Sequence, residues 1–146
     1  TNNTRLLELR EYNFLHQKDI AKILNIDRST YSTWETNLKI IPLKHLNNLS
    51  NYYNISMDYI LGLTNKKIKY KKLNELDKKI IGNNIKKLRS NNNLTLRDLA
   101  KILNTTSSTI SAYETGKTLL LTAFAIEIAK KYHLSIDELC GKEKIN

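Results

Sequence analysis

Sliding the 146-residue sequence on itself by 79 positions, the separation of Ala21 and Ala100, aligns its two halves without a gap. Asp19-Ile20-Ala21-Lys22-Ile23-Leu24-Asn25 falls on Asp98-Leu99-Ala100-Lys101-Ile102-Leu103-Asn104, and Ser29-Thr30 falls on Ser108-Thr109. Arg10 meets Arg89, Trp34 meets Tyr113, and Glu35-Thr36 meets Glu114-Thr115. Tyr53, Ser56, Asp58 and Gly62 likewise meet Tyr132, Ser135, Asp137 and Gly141. Roughly a third of aligned positions are identical, and others, such as Ile20 and Leu99, Ile41 and Leu120 or Met57 and Ile136, exchange one apolar residue for another, which preserves a core pattern. The chain therefore reads as one small domain duplicated. Two copies are too few for a solenoid, so each must bury its own core. The length also excludes a large enzyme with a separate cofactor fold.

Within a copy the apolar positions recur at helical spacing, and only four Gly and one Pro serve the whole chain, which starves turn-rich β folds. The expected class is all-α, with five helices per copy. In the second copy Ile85 and Leu88 mark the first helix, and Thr95 caps the second with Asp98 as capping-box partner. Leu99, Ala100, Ile102 and Leu103 face inward. Thr106 caps a third helix through Glu114, which Gly116 stops in the left-handed conformation. A fourth runs from about Leu121 to Tyr132, and a fifth from Ser135, with box partner Glu138, to a stop at Gly141. In the first copy Asp27 caps the third helix, Pro42 opens the fourth, and Ser56 caps the fifth. His16 stands where Thr95 caps and is the weaker cap. The organisation is thus read as a domain over residues 1–63, a Lys-rich linker over 64–79 and a second domain over 80–146. Leu73, Leu76, Ile80 and Ile81 form a stripe that lengthens the first helix of the second copy.

Against 14 Asp and Glu stand 24 Lys and Arg, a net charge of +10, so a polyanionic partner is expected, nucleic acid ahead of an anionic membrane surface. By segment, Thr1 to Gly62 carries 7 basic and 6 acidic residues, Leu63 to Lys79 carries 7 and 2, and Ile80 to Asn146 carries 10 and 6. The lysines of Asn65–Lys72 read either as a solvated spacer or as an arm lying on phosphates. No apolar run approaches the roughly 18 residues of a membrane span. The charged amino terminus is not expected to be a secretory signal. Cys140 alone cannot close an intrachain disulfide and aligns with Leu61 as a buried apolar residue; three scattered His lack zinc spacing. A cytoplasmic location is expected, with no metal, no cofactor and no membrane partner. Neither a nucleophile with its base, nor a carboxylate cluster, nor a Gly-rich phosphate loop is visible, so no enzymatic activity is expected.

A helix of about eight residues, a three-residue turn and a second short helix form a helix-turn-helix, whose second helix fits a major groove about 12 Å wide. Leu15-His16-Gln17-Lys18-Asp19-Ile20-Ala21 through Ser29-Thr30-Tyr31-Ser32-Thr33-Trp34-Glu35 is one such unit. Leu94-Thr95-Leu96-Arg97-Asp98-Leu99-Ala100 through Thr109-Ile110-Ser111-Ala112-Tyr113-Glu114-Thr115-Gly116 is the other. Both resemble the helix-turn-helix domains of phage Cro and repressor proteins and their bacterial relatives, the xenobiotic-response-element-like regulators. The resemblance covers about 58 residues of each half. It implies two tandem five-helix, lambda-repressor-like domains whose third helices read double-stranded DNA, commonly as a dimer on a two-fold operator.

By position, the resemblance makes Gln17 a phosphate contact and Arg28, Ser29, Ser32 and Thr33 reading residues, with Lys18 and Lys39 beside them. In the second copy the set becomes Thr95, Arg97, Ser107, Ser108, Ser111, Ala112 and Lys117, while Leu96 stands where the family often has glutamine. Asn37 replaces the glycine that Gly116 keeps, as the next-best left-handed residue. Tyr31, Trp34 and Tyr113 fall on the buried side of the third helix's period. The resemblance further joins Arg10 to Glu35 and Arg89 to Glu114. It implies a sequence-specific transcriptional regulator, a repressor occupying an operator; with only Lys142 to Asn146 after Gly141, no separate sensor is expected. The alternative is a protein-interaction module, antitoxin- or antirepressor-like, in which one copy binds a protein. Ile40 and Ile41, matched by Leu119 and Leu120, stand where family dimers meet, so a homodimer or a pseudo-dimer of the two copies is expected, with burial in each core as the competing explanation. Extended, Leu63 to Lys79 would span about 55 Å, beyond the roughly 34 Å between half-sites one turn apart.

Overall fold

The computed structural model describes residues 4–146 and divides into two units, the first holding residues up to Asn74 together with Lys144–Asn146, the second Glu75–Glu143. In the first unit the helices are α1 (Leu6–Tyr12), α2 (Gln17–Leu24), α3 (Arg28–Glu35), α4 (Leu43–Tyr53) and α5 (Met57–Ile60). The second has α6 (Lys78–Asn91), α7 (Leu96–Ile102), α8 (Ser107–Glu114), α9 (Thr122–Tyr132) and α10 (Ile136–Leu139). Among the described residues there is no strand beyond an isolated antiparallel bridge, Tyr70 to Lys144, and no helix long and apolar enough to cross a membrane.

Start and stop chemistry follows side-chain type closely. Thr95 accepts from Asp98 N–H at 3.0 Å while Asp98 accepts from Thr95 N–H at 2.8 Å, closing the capping box. Thr106, Ser56 and Ser135 accept from Thr109, Tyr59 and Glu138 N–H as expected. Asp27 occupies the N-cap of α3, but its side chain makes no capping hydrogen bond there. Pro42 is the N-cap of α4, one residue outside the helix. Asp77, not singled out from the sequence, caps α6 through Lys79 N–H at 2.8 Å. That cap starts α6 at Lys78 and leaves Leu73 and Leu76 outside it. With glycine scarce, asparagine supplies the left-handed turns at Asn25, Asn37, Asn54, Asn93 and Asn104, and Gly116 and Gly141 adopt positive φ as well.

The two cores match at most of their apolar positions. Leu6, Ile20, Leu24, Ile41, Leu49, Met57, Ile60 and Leu61 are buried in the first unit, as are their counterparts Ile85, Leu99, Leu103, Leu120, Ile128, Ile136, Leu139 and Cys140 in the second. Trp34 and Tyr31 fill the first core where Tyr113 and Ile110 serve the second. Ile41 and Leu120 therefore lie inside, which removes both from the expected dimer surface; Ile40 is exposed and Leu119 half-buried. Gly82 shows how closely α6 and α8 approach: a Cβ there would lie 2.6 Å from the Glu114 carbonyl oxygen and press on that of Tyr113.

The Lys-rich segment is built into the first unit. Asn47 and Asn51 donate to the Leu73 carbonyl at 2.9 and 2.8 Å, Lys69 Nζ donates to the Asn54 carbonyl, and Ile145 N–H donates to the Lys69 carbonyl at 2.9 Å. These anchors correct the expected linker over residues 64–79, and the extended span of about 55 Å does not describe it. They also move charge. The first unit holds 13 basic and 6 acidic residues, net +7, and the second 11 and 8, net +3, so the first is not the nearly neutral half.

Candidate nucleic-acid interface

In each unit the same geometry ties the first helix to the end of the third. Arg10 Nε and Nη2 donate to Glu35 at 2.6 and 3.0 Å, and Arg89 Nε and Nη2 donate to Glu114 at 2.7 and 3.0 Å. The third nitrogen of each fork donates to a turn carbonyl, Leu15 or Leu94, both at 2.9 Å. Each arginine thus sets the turn that enters the second helix and the helix that leaves the motif. The pairs are largely withdrawn from water: Arg10 and Glu35 side chains are 13% and 4% exposed. Burial pushes the Glu35 carboxyl up, but hydrogen bonds led by Arg10, with Gln17 among the others, outweigh it and hold the pKa below its ordinary value. Hydrogen bonding to Glu35 in turn raises Arg10.

In the first unit this network continues outward. Gln17 Nε2 donates to Glu35 Oε1 at 3.0 Å, and Arg28 Nη1 donates to Gln17 Oε1 at 3.1 Å. Because Glu35 accepts only, it orients the Gln17 amide, whose oxygen is left facing the first residue of α3. One guanidinium nitrogen of Arg28 is held and the rest of its fork is free to donate. The structure thus brings Gln17 and Arg28 together; their link to Glu35 was not read from the sequence, although residues at the starts of the two helices and the end of the second offered the signal. Lys18, Arg28, Ser29 and Lys39 are exposed, and Ser32 and Thr33 are half-buried. The Thr33 hydroxyl donates to the Thr30 carbonyl at 2.6 Å, so it offers an incoming group only acceptor capacity.

The second unit keeps the frame and loses the extension. Leu96 occupies the Gln17 position and Ser107 the Arg28 position, so the amide and guanidinium that lead from Glu35 to α3 have no equivalents between Glu114 and the start of α8. Arg97, Ser107, Ser108 and Lys117 are exposed, Ser111 and Ala112 half-buried, and the Thr95 hydroxyl is engaged as a cap. Tyr31, Trp34 and Tyr113 are core residues, with Trp34 against His45 at 5.4 Å and Tyr113 against Phe124 at 6.1 Å between ring centroids.

Comparison with known proteins assigns both halves. A family model described as helix-turn-helix matches residues 6–60, and a second, described as a helix-turn-helix domain, matches residues 82–144. The chain is similar to YobD of Bacillus subtilis (strain 168), described as an uncharacterized HTH-type transcriptional regulator, at 40% identity over 60 residues. The match covers 41% of this chain and 54% of that protein, so the chain spans about half the length of the curated relative it matches. No solved structure matches the chain.

Proposed function

Because the chain belongs to the helix-turn-helix family of Cro- and repressor-type proteins, in two tandem copies, we propose that it is a sequence-specific, double-stranded-DNA-binding transcriptional regulator that represses by occupying its operator. The observation that carries this reading is the Glu35–Gln17–Arg28 chain, which presents an oriented guanidinium at the exposed start of the third helix. Such a fork donates two hydrogen bonds to guanine O6 and N7 in the major groove. Gln17 retains a second amide hydrogen for a phosphate, and Lys18 and Lys39 add charge beside it. Ser29, Ser32 and Thr33 complete the reading face of the first unit; Arg97, Ser107, Ser108, Ser111, Ala112 and Lys117 form that of the second. The action is occupancy, without catalysis or cofactor, in the cytoplasm where the DNA is.

A second reading applies to the second unit alone, and Leu96 together with the short side chains of α8 favours it: this copy binds a protein in place of bases, as an antitoxin- or antirepressor-like module. Selection of bound fragments from a random DNA library at a stated salt concentration tests the first reading. Enrichment of a motif supports it, and failure to enrich any sequence transfers the weight to the interaction module.

A further inference from the structure

The last residue of α1 and the turn that follows it carry the most exposed aromatic side chains among the described residues, Tyr12 at 81% and Phe14 at 93%. Phe14 also has φ of +57°, where the other described residues at positive φ are asparagine, histidine or glycine. A left-handed conformation costs an L-residue with a bulky side chain, and asparagine tolerates it best after glycine. The internal repeat supplies the comparison: the second unit has the same turn, with Asn91 and Asn93 at these two positions and φ of +55° at Asn93. Phe14 is therefore disfavoured by its backbone and gains nothing from burial, which marks a role outside the fold.

The turn's position identifies the partner. Arg10 holds the Leu15 carbonyl at 2.9 Å with the same guanidinium that holds Glu35, and Glu35 leads through Gln17 to Arg28. Phe14 is thus fixed three residues before Gln17, just ahead of the start of α2, whose Lys18 is exposed and whose Gln17 holds the exposed Arg28 of α3. Beside cationic groups suited to phosphates, the complementary apolar surface of the same ligand is the deoxyribose edge of the backbone strand. We propose that Tyr12 and Phe14 form an apolar clamp on the sugars flanking the site read by the first unit, adding affinity without base preference; this rests on the DNA-binding reading.

The test is Phe14→Asn in the full chain, which installs the residue of the second unit's own turn and so keeps the fold. Expected are a rise of a few degrees in Tm and a roughly tenfold weaker Kd, equal on the selected and on scrambled duplex, the order of effect of losing part of a phenylalanine's apolar burial. The salt slope stays unchanged, since no charge is altered. Undiminished affinity overturns the clamp, and loss of self-association in sedimentation with unchanged DNA affinity assigns the patch to a second copy instead. A lower Tm overturns the strain argument. If wild type enriches no DNA sequence, the DNA reading itself fails, whereas wild-type enrichment with an indifferent Phe14→Asn variant removes the clamp alone.

Discussion

At the scale of single residues, the proposed function places the first unit's base discrimination in Arg28. Arg28→Ala is expected to cost roughly 1 to 3 kcal/mol on the preferred duplex and to relax preference at one base pair, whereas equal loss on all sequences would make it a phosphate contact. The buried pair beneath it bears on stability: truncating either Arg10 or Glu35 strands the other charge and should cost about 3 to 5 kcal/mol in urea unfolding. His45 adds a pH response. Burial, with Lys44 nearby, lowers its pKa below 6.5 in the folded state, so the unfolded chain binds the extra proton. Stability is full above pH 6.5 and falls as pH drops from there toward the folded value. The second unit has Phe124 at this place, against Tyr113 as His45 lies against Trp34. His45→Phe should therefore fold and flatten the pH dependence of stability just below 6.5, read by Trp34 fluorescence; an unchanged slope sinks this assignment.

At the scale of elements, helix ends are where local chemistry decides most. The Thr95–Asp98 box caps α7 through two reciprocal bonds, so Thr95→Ala is expected to lower stability by about 1 kcal/mol. Helix packing sets a harder limit at Gly82. A methyl group there meets backbone carbonyls at the end of α8, which cannot swing aside like a side-chain tip. Gly82→Ala should cost on the order of 1 to 3 kcal/mol and separate α6 from α8, with loss of the Arg89–Glu114 pair. A thermal melt with wild-type midpoint would contradict the close approach.

At the scale of the whole molecule, the charge follows the fold rather than the repeat boundary. Sequence segments place most of the excess in the linker and second copy, yet anchoring of residues 64–73 and Lys144–Asn146 gives the first unit net +7 and the second +3. On the proposed function the first unit then combines the long base-reading side chain, Arg28, with the larger positive charge available for phosphates. Residues 1–74 alone should show both the sequence preference and the steeper fall of binding with salt, and residues 75–143 a shallower slope with little preference. Parallel titrations on cognate and scrambled DNA across a salt series decide it, and a steeper slope for the second unit would reject the reassignment.

Local and repeated features were legible in the sequence because they depend on residues a few positions apart: the 79-residue register, helix periodicity, the Thr and Ser caps and the duplicated cores. The same register placed Arg10, Glu35, Gln17 and Arg28 at matching stations of two copies. Which atoms of these side chains meet was decided by tertiary structure, since the orientation of the Gln17 amide depends on Glu35 arriving from the far end of α3. Likewise nothing local distinguishes Ile40 from Ile41, but packing exposes one and buries the other. The lysine-rich segment read as a spacer because its composition is polar; two asparagine amides of α4, more than twenty residues away, hold its Leu73 carbonyl and make it part of the first unit. Sequence alone determined the elements and their repetition through short-range chemistry, and only the fold decided the contacts that bring distant residues within hydrogen-bonding reach.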